Sequence, residues 1–315
     1  MNKAFVFPGQ GSQSVGMGKD LAVASPVARR VFEEIDEALS QNLSSIMFDG
    51  PIEELTLTEN AQPALFAVSM AIMHALEKEG GLDVTKFIKF VAGHSLGEYS
   101  ALAAAKSFGI ATAARILKAR GVAMQEAVPI GVGNMLAILG AELGLAEEIA
   151  LEAAKGEVCS IANDNAIGQV VLSGTKSAIT RAVEIAKAKG VKRSILLPVS
   201  APFHCTMMTP AADVMARELA AIVIEKPIIP IIPNVSAEAR TDPDEIRELL
   251  VEQVTARVRW RESVLFMRDN GVEELIEIGS GKVLTGLTRR VDQNLKSSLA
   301  IRNIFGIKQQ IRLNL

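Results

Sequence analysis

Cysteine is almost absent from this chain: Cys159 and Cys205 are the only two in 315 residues. They supply neither a disulfide framework nor the paired spacing of a metal site. Positive charge is not in excess either. Against 36 acidic side chains stand 33 basic ones, for a formal net charge of −3. No global positive field draws such a chain to phosphates, which argues against a nucleic-acid binder. Long apolar runs are missing too. A membrane helix needs about 18 uninterrupted apolar residues, and the nearest stretch, 222–235, is broken by Glu225, Lys226, Pro227, Pro230 and Pro233. The opening Met1-Asn2-Lys3-Ala4-Phe5-Val6-Phe7 is too short for a signal-peptide core and no small-residue cleavage site follows it. The expectation is a cytoplasmic protein of enzyme size that does not associate with membranes. What is present is an ordinary globular composition, 49% hydrophobic and 22% charged, in a chain long enough for one large domain or two smaller ones.

The apolar pattern alternates strands with helices. Residues 4–7 read as a buried strand running into the glycine-rich Pro8-Gly9-Gln10-Gly11-Ser12-Gln13. Helical patterns follow at 27–39 and 63–79, a strand at 87–92, and helices at 96–105 and 111–127. Residues 271–279 supply a further strand. This order predicts an α/β body with a mostly parallel sheet. The segment after Pro129 changes character. It reads as strand 134–139, helix 143–155, strands 158–162 and 169–173 joined by a polar loop, helix 177–189 and strand 193–197. The order β-α-β-β-α-β is that of a ferredoxin-like unit. We therefore expect a small domain at 131–199 inserted into a body formed by 1–130 and 200–315. The tail, 302–315, mixes basic and apolar residues and receives no assignment.

Gly93-His94-Ser95-Leu96-Gly97 falls between a predicted strand and a predicted helix, the setting of a nucleophile elbow. Side chains at Gly93 or Gly97 would collide with adjacent backbone, and the turn lifts the Ser95 hydroxyl to a helix N-terminus that favours developing negative charge. The bland alternative is a tight turn whose serine caps the helix. A serine nucleophile needs a base, and the chain offers three histidines. His74 lies within a helical stretch, and His94, next to Ser95, should point away from it. His204, in Ser200-Ala201-Pro202-Phe203-His204-Cys205, occupies a loop where the insert rejoins the body and is the candidate base. No acid stands out as its partner, since Asp213, Asp242 and Asp244 read as helix-start or turn residues. A neutral acceptor such as a backbone carbonyl is the alternative, and it counts against a lipase or esterase.

Six segments occur in order: the 8–13 loop, Gly93-His94-Ser95-Leu96-Gly97-Glu98-Tyr99, Gln125-Glu126-Ala127-Val128-Pro129, Gln169-Val170-Val171-Leu172-Ser173-Gly174, the Pro202-Phe203-His204-Cys205 segment, and Gly281-Lys282-Val283-Leu284-Thr285-Gly286-Leu287. Together, from Phe5 to about Arg290, they resemble the malonyl-CoA:acyl carrier protein transacylases of bacterial fatty acid synthesis. The resemblance implies an α/β-hydrolase-like body with a ferredoxin-like insert. It implies Ser95 as nucleophile, His204 as base, and Gln253 as the residue whose carbonyl orients His204. The N–H groups of Gln10 and Leu96 would form the oxyanion hole, and Arg120 would hold the free malonyl carboxylate, which a planar guanidinium can bind bidentately. Without the resemblance, Arg120 reads as a surface charge on a helix. Asn163 and Asn165 resemble asparagines lining the coenzyme A and carrier-arm cleft, and Phe203 would crowd a branched acyl chain. The implied partners are a coenzyme A thioester and an acidic acyl carrier protein, docking near Lys192 and Arg193 or near Arg289 and Arg290. No metal or other cofactor is implied, and a monomer is expected. The chain departs from the family pattern at Arg257, where proline is frequent, and at Ser280, where Gly-Pro-Gly-Lys is frequent. A hydrolase using water as acceptor and a scaffold protein on the same fold are the competing readings.

Overall fold

The computed structural model describes residues 2–199 and 201–300, so the 302–315 tail lies outside the described residues. Among the described residues nine strands form two sheets. The first contains β1 (Lys3–Phe7), β2 (Ile88–Gly93), β7 (Ile231–Ile232), β8 (Glu274–Glu277) and β9 (Lys296–Leu299), in the order β7-β2-β1-β8-β9. Every pairing in it is parallel. Both faces are covered, and the period-two alternation shows how. Phe5 and Phe7 join the main core cluster, while Ala4 and Val6 join a second cluster around Trp260, Val264 and Met267.

The second sheet contains β3 (Gly133–Leu139), β4 (Cys159–Ala166), β5 (Gln169–Thr175) and β6 (Arg193–Leu196), with helices Leu143–Ala154 and Lys176–Ala188 between them. The order is β4-β5-β3-β6 and all its pairings are antiparallel. The β-α-β-β-α-β succession expected from the sequence is the one observed. One face of this sheet, Leu136, Ile138, Val170 and Leu172, packs on its own two helices. The other face, Met135, Ala137 and Val171, belongs to the main core. β4 is stitched to the body by Asp164 N–H to the Val258 carbonyl at 2.9 Å and Val258 N–H to the Ala162 carbonyl at 2.8 Å.

Three expected boundaries move by several residues, the strand expected at 271–279 being only Glu274–Glu277. The polar loop expected at 163–168 is mostly strand, since β4 runs to Ala166 under the pull of its pairing with β5 and Val258. The helix expected at 63–79 is Thr58–Lys78, so Pro63 lies inside it rather than at its start.

Candidate active site

Four loops at the carboxyl ends of neighbouring parallel strands converge, where open α/β sheets place their ligands. β2 ends at Gly93 and a helix begins at Gly97. Between them Ser95 adopts φ 53°, a left-handed conformation that a serine holds only under constraint. The constraint is visible. The fully buried Asn234, just beyond β7, accepts the Ser95 N–H on Oδ1 at 2.7 Å and donates from Nδ2 to the Gly93 carbonyl at 2.7 Å. The flanking glycines are required sterically. A Cβ on Gly93 would stand 1.9 Å from the Gly97 carbonyl carbon, and one on Gly97 would stand 2.2 Å from the Phe7 oxygen.

His204 Nε2 lies 2.8 Å from Ser95 Oγ, and its Nδ1 lies 2.9 Å from the main-chain carbonyl of Gln253. A carbonyl only accepts, so Nδ1 carries the proton and Nε2 presents its lone pair to the serine hydroxyl. Burial, and then the nearby Arg120 guanidinium, push the His204 pKa down to about 3, although the Gln253 bond works the other way. The neutral ring can therefore take the Ser95 proton. Among the described residues no carboxylate bonds His204. Asp242 caps helix Pro243–Glu252 and Asp244 lies in its first turn. The Arg257 departure does not disturb this arrangement, because Arg257 turns to Glu147 at 3.2 Å.

Arg120 is not a surface charge: it is 1% exposed. The reason is its neighbour Gly121, where a Cβ would stand 2.5 Å from Glu59 Cα. Helix Ile110–Glu126 therefore packs directly on the first turn of helix Thr58–Lys78. Arg120 Nη1 donates to Gln62 Oε1 at 2.7 Å, and Nη2 donates to Gln253 Oε1 at 2.9 Å and to Ser95 Oγ at 3.2 Å. Its guanidinium also lies 5.7 Å from the Tyr99 ring centroid. All these partners are neutral. Gln253 gathers the site, for its Nε2 donates to the Ser95 carbonyl at 3.0 Å and to Glu98 Oε2 at 2.8 Å. Glu98 is fully buried and also accepts the Asn234 N–H at 2.9 Å. Burial raises its pKa to about 7, against the opposing pull of Asn234, Gln253 and Arg120.

The 8–13 loop touches the elbow as expected, since a Cβ on Gly9 would stand 2.7 Å from the His94 carbonyl oxygen. Gln10 Oε1 accepts the Thr58 hydroxyl at 2.8 Å. Among the described residues no hydrogen bond occupies the N–H of Gln10 or of Leu96. Asn163 and Asn165 sit on β4, both nearly buried, and Asn165 Oδ1 takes His94 Nε2 at 2.7 Å. His94 thus points away from the Ser95 hydroxyl and packs beside Trp260. Phe203 is buried in the main core.

The expected docking residues Lys192, Arg193, Arg289 and Arg290 are all exposed. Arg193 pairs with Leu139, at the far end of β3 from Gly133. Gly133 in turn lies against Pro202, two residues before His204. A strand of that length separates Arg193 from the His204 loop by about 20 Å. Arg289 and Arg290 close helix Val283–Val291, which follows the Gly281 turn lying against Ser12.

Sequence reasoning missed Thr58, Gln62, Glu98 and Asn234. Gln62 and Glu98 left a trace, being polar groups inside apolar helical runs. Asn234 left none, because it reaches the elbow from 139 residues further along the chain. Among the described residues no group of three or more His, Cys, Asp or Glu could hold a metal ion. None of the described helices is long and apolar enough to cross a membrane.

With that geometry in place, the comparisons are specific. The model of the acyl transferase domain family matches residues 4–308, further than the motifs alone reached. The malonyl CoA-acyl carrier protein transacylase of Escherichia coli strain K12 is 46% identical over 295 residues, which is 94% of each chain. The crystal structure of the acyl-carrier-protein S-malonyltransferase from Bartonella henselae is 52% identical, with a TM-score of 0.96 over 99% of each chain. A malonyl-transacylase solved in complex with its type II PKS acyl-carrier protein is 41% identical, with a TM-score of 0.95 over 100% of each chain. The chain belongs to the acyl transferase family and, within it, to the malonyl CoA-acyl carrier protein transacylases.

Proposed function

We propose that this acyltransferase moves a malonyl group from malonyl-CoA to the phosphopantetheine thiol of an acyl carrier protein, supplying fatty acid chain elongation. The observation that carries the reading is Arg120: a buried guanidinium 3.2 Å from Ser95 Oγ, hydrogen-bonded to neutral groups only. A buried charge is costly unless paired. A substrate that forms an ester on Ser95 and carries a carboxylate two carbons along gives the guanidinium the directly bonded counter-charge that its neutral hydrogen-bond partners do not.

In the first half-reaction Ser95 Oγ attacks the thioester carbonyl and its proton passes to His204 Nε2. The oxyanion is taken by the N–H groups of Gln10 and Leu96. The carbon–sulfur bond breaks, the sulfur of coenzyme A leaves with the His204 proton, and malonyl stays on Ser95 as an ester. In the second half, His204 takes the carrier thiol proton, the sulfur attacks the ester carbonyl, and Ser95 recovers its proton. Gln253 holds His204 through its carbonyl, in the place an aspartate holds in other triads. Asn163 and Asn165 line the arm cleft, and Phe203 crowds branched acyl groups. The proposed reaction requires no metal, nucleotide or redox group. We further take the insert as 131–199, the enzyme as a monomer and its location as the cytoplasm.

Arg120→Ala tests the reading. Its malonyl kcat/KM should fall about 10²-fold or more, as for a broken buried pair, with acetyl-CoA much less affected. Equal losses for both substrates would assign Arg120 a structural role and remove the argument for malonyl.

A further inference from the structure

Thr58 is fully buried at the start of its helix, and its hydroxyl is used twice. It accepts from Gln62 Nε2 at 3.1 Å and donates to Gln10 Oε1 at 2.8 Å. Gln62 Oε1 in turn accepts from Arg120 Nη1 at 2.7 Å. A guanidinium can only donate, and this fixes the direction of the whole chain. Gln62 must turn its carbonyl to Arg120 and its amide NH2 to Thr58. The Thr58 hydroxyl, having accepted, sends its single proton on to Gln10. The chain therefore runs one way, from the group facing the acyl carboxylate to the residue whose N–H faces the thioester oxygen.

The backbone beneath it is fixed independently. Gly121, next to Arg120, brings its helix so near that a Cβ there would stand 2.7 Å from the Thr58 carbonyl oxygen. Thr58 is thus held by the arginine helix on its main-chain side and by the 8–13 loop on its side-chain side. Among the described residues, that loop has few other side-chain hydrogen bonds to hold it, and Gln13 Oε1 accepts only the neighbouring Gly11 N–H, at 2.7 Å.

We propose that Thr58 is a positioning residue: its hydroxyl holds the Gln10 side chain, and with it the Gln10 N–H, in register with Arg120 and Ser95. The inference rests on the transacylase reading above, since it gives that N–H its work on the oxyanion. Thr58 touches neither substrate nor reacting atom. Its removal should lower transition-state stabilisation and leave ground-state binding of malonyl-CoA nearly untouched.

Single-turnover formation of the malonyl-enzyme, measured on the full chain, separates the outcomes. Thr58→Val keeps the side-chain shape and removes the hydroxyl. It should lower the maximal acylation rate about 10-fold with malonyl-CoA, with KM changing less than about twofold. Thr58→Ser, which restores the hydroxyl, should recover the rate to within about threefold of wild type. The decisive measurement is the double-mutant cycle with Gln10→Leu. If Thr58 acts through the Gln10 side chain, adding Thr58→Val to Gln10→Leu should cost less than about a further twofold. A general packing defect would multiply with Gln10→Leu instead, and that result would overturn the proposal, as would a wild-type rate in Thr58→Val. Failure of the wild-type enzyme to form any malonyl adduct would overturn the proposed function itself, a result distinct from both.

Discussion

At the scale of single residues, the site is governed by what burial does to charge. Desolvation and the Arg120 guanidinium both disfavour protonation of His204, whose pKa falls from the ordinary 6.5 to about 3. Between those values the unfolded chain binds more protons at this position than the folded one. Its contribution to stability therefore rises with pH through that window and is complete above 6.5. Glu98 has the opposite sign. Its pKa is raised from 4.5 to about 7, so its cost to the folded state grows as pH rises from 4.5 and is complete above 7. For the reaction, His204 stays in its basic form far below the range of a free histidine. The acylation kcat/KM should show no acid limb near pH 6.5 and should hold within about twofold from pH 7 to 5. Any inflection near pH 7 that Glu98 introduces should vanish in Glu98→Gln. A limb centred near 6.5 that survives in Glu98→Gln would contradict the electrostatic account of His204.

At the scale of elements, the strand-turn-helix around Ser95 was legible because its glycines answer local sterics. Only a residue without a side chain fits at Gly93, where a Cβ would stand 1.9 Å from backbone. That His204 is the histidine beside Ser95 was legible by elimination among three histidines, and the β-α-β-β-α-β order by alternating periodicity. What escaped was set by distant partners. Asn163, Asp164 and Asn165 have the composition of a loop, yet they lie in β4, paired to β5 and bridged to Val258. The Asp164 carboxylate is itself fully buried against Arg261 at 2.9 Å. Pro63 reads as the first residue of a helix. The true start is five residues earlier, where side-chain bonds tie Thr58 to Gln10, Asn60 to Gln41 and Lys118, and Gln62 to Arg120. Arg120 could be placed on a helix by its sequence but not on the buried face, which Gly121 decides through a contact with Glu59. The acceptor for His204 is the Gln253 main-chain carbonyl, which only the family resemblance could name, because carbonyls leave no mark of their own in a sequence.

At the scale of the molecule, the parallel sheet brings β1, β2, β7 and β8 to one edge, and the antiparallel sheet closes over the site through the bridge between Asn163 and Val258. A carrier protein must present its thiol there. Acyl carrier proteins are acidic, and a chain of net charge −3 can attract one only through a local basic patch. Arg289 and Arg290 end the helix that begins beside the 8–13 loop, whereas Arg193 stands a strand's length from the His204 loop. Arg290→Glu should therefore raise the carrier KM several-fold more than Arg193→Glu, with malonyl-enzyme formation unchanged in both. The effect should fade as salt rises, because exposed charges are screened within about 10 Å at 0.1 M. Equal carrier KM values for Arg290→Glu and the wild type at low salt would place the docking surface elsewhere.

The central claim is that malonyl passes through an ester on Ser95. Intact-mass measurement after brief exposure to malonyl-CoA tests it most directly, followed by peptide mapping of the adduct. Wild-type protein should gain one malonyl group, mapped to Ser95 and lost on addition of holo acyl carrier protein, and Ser95→Ala should gain none. A malonyl adduct forming on Ser95→Ala at the wild-type rate, at Cys205 or anywhere else, would contradict the account.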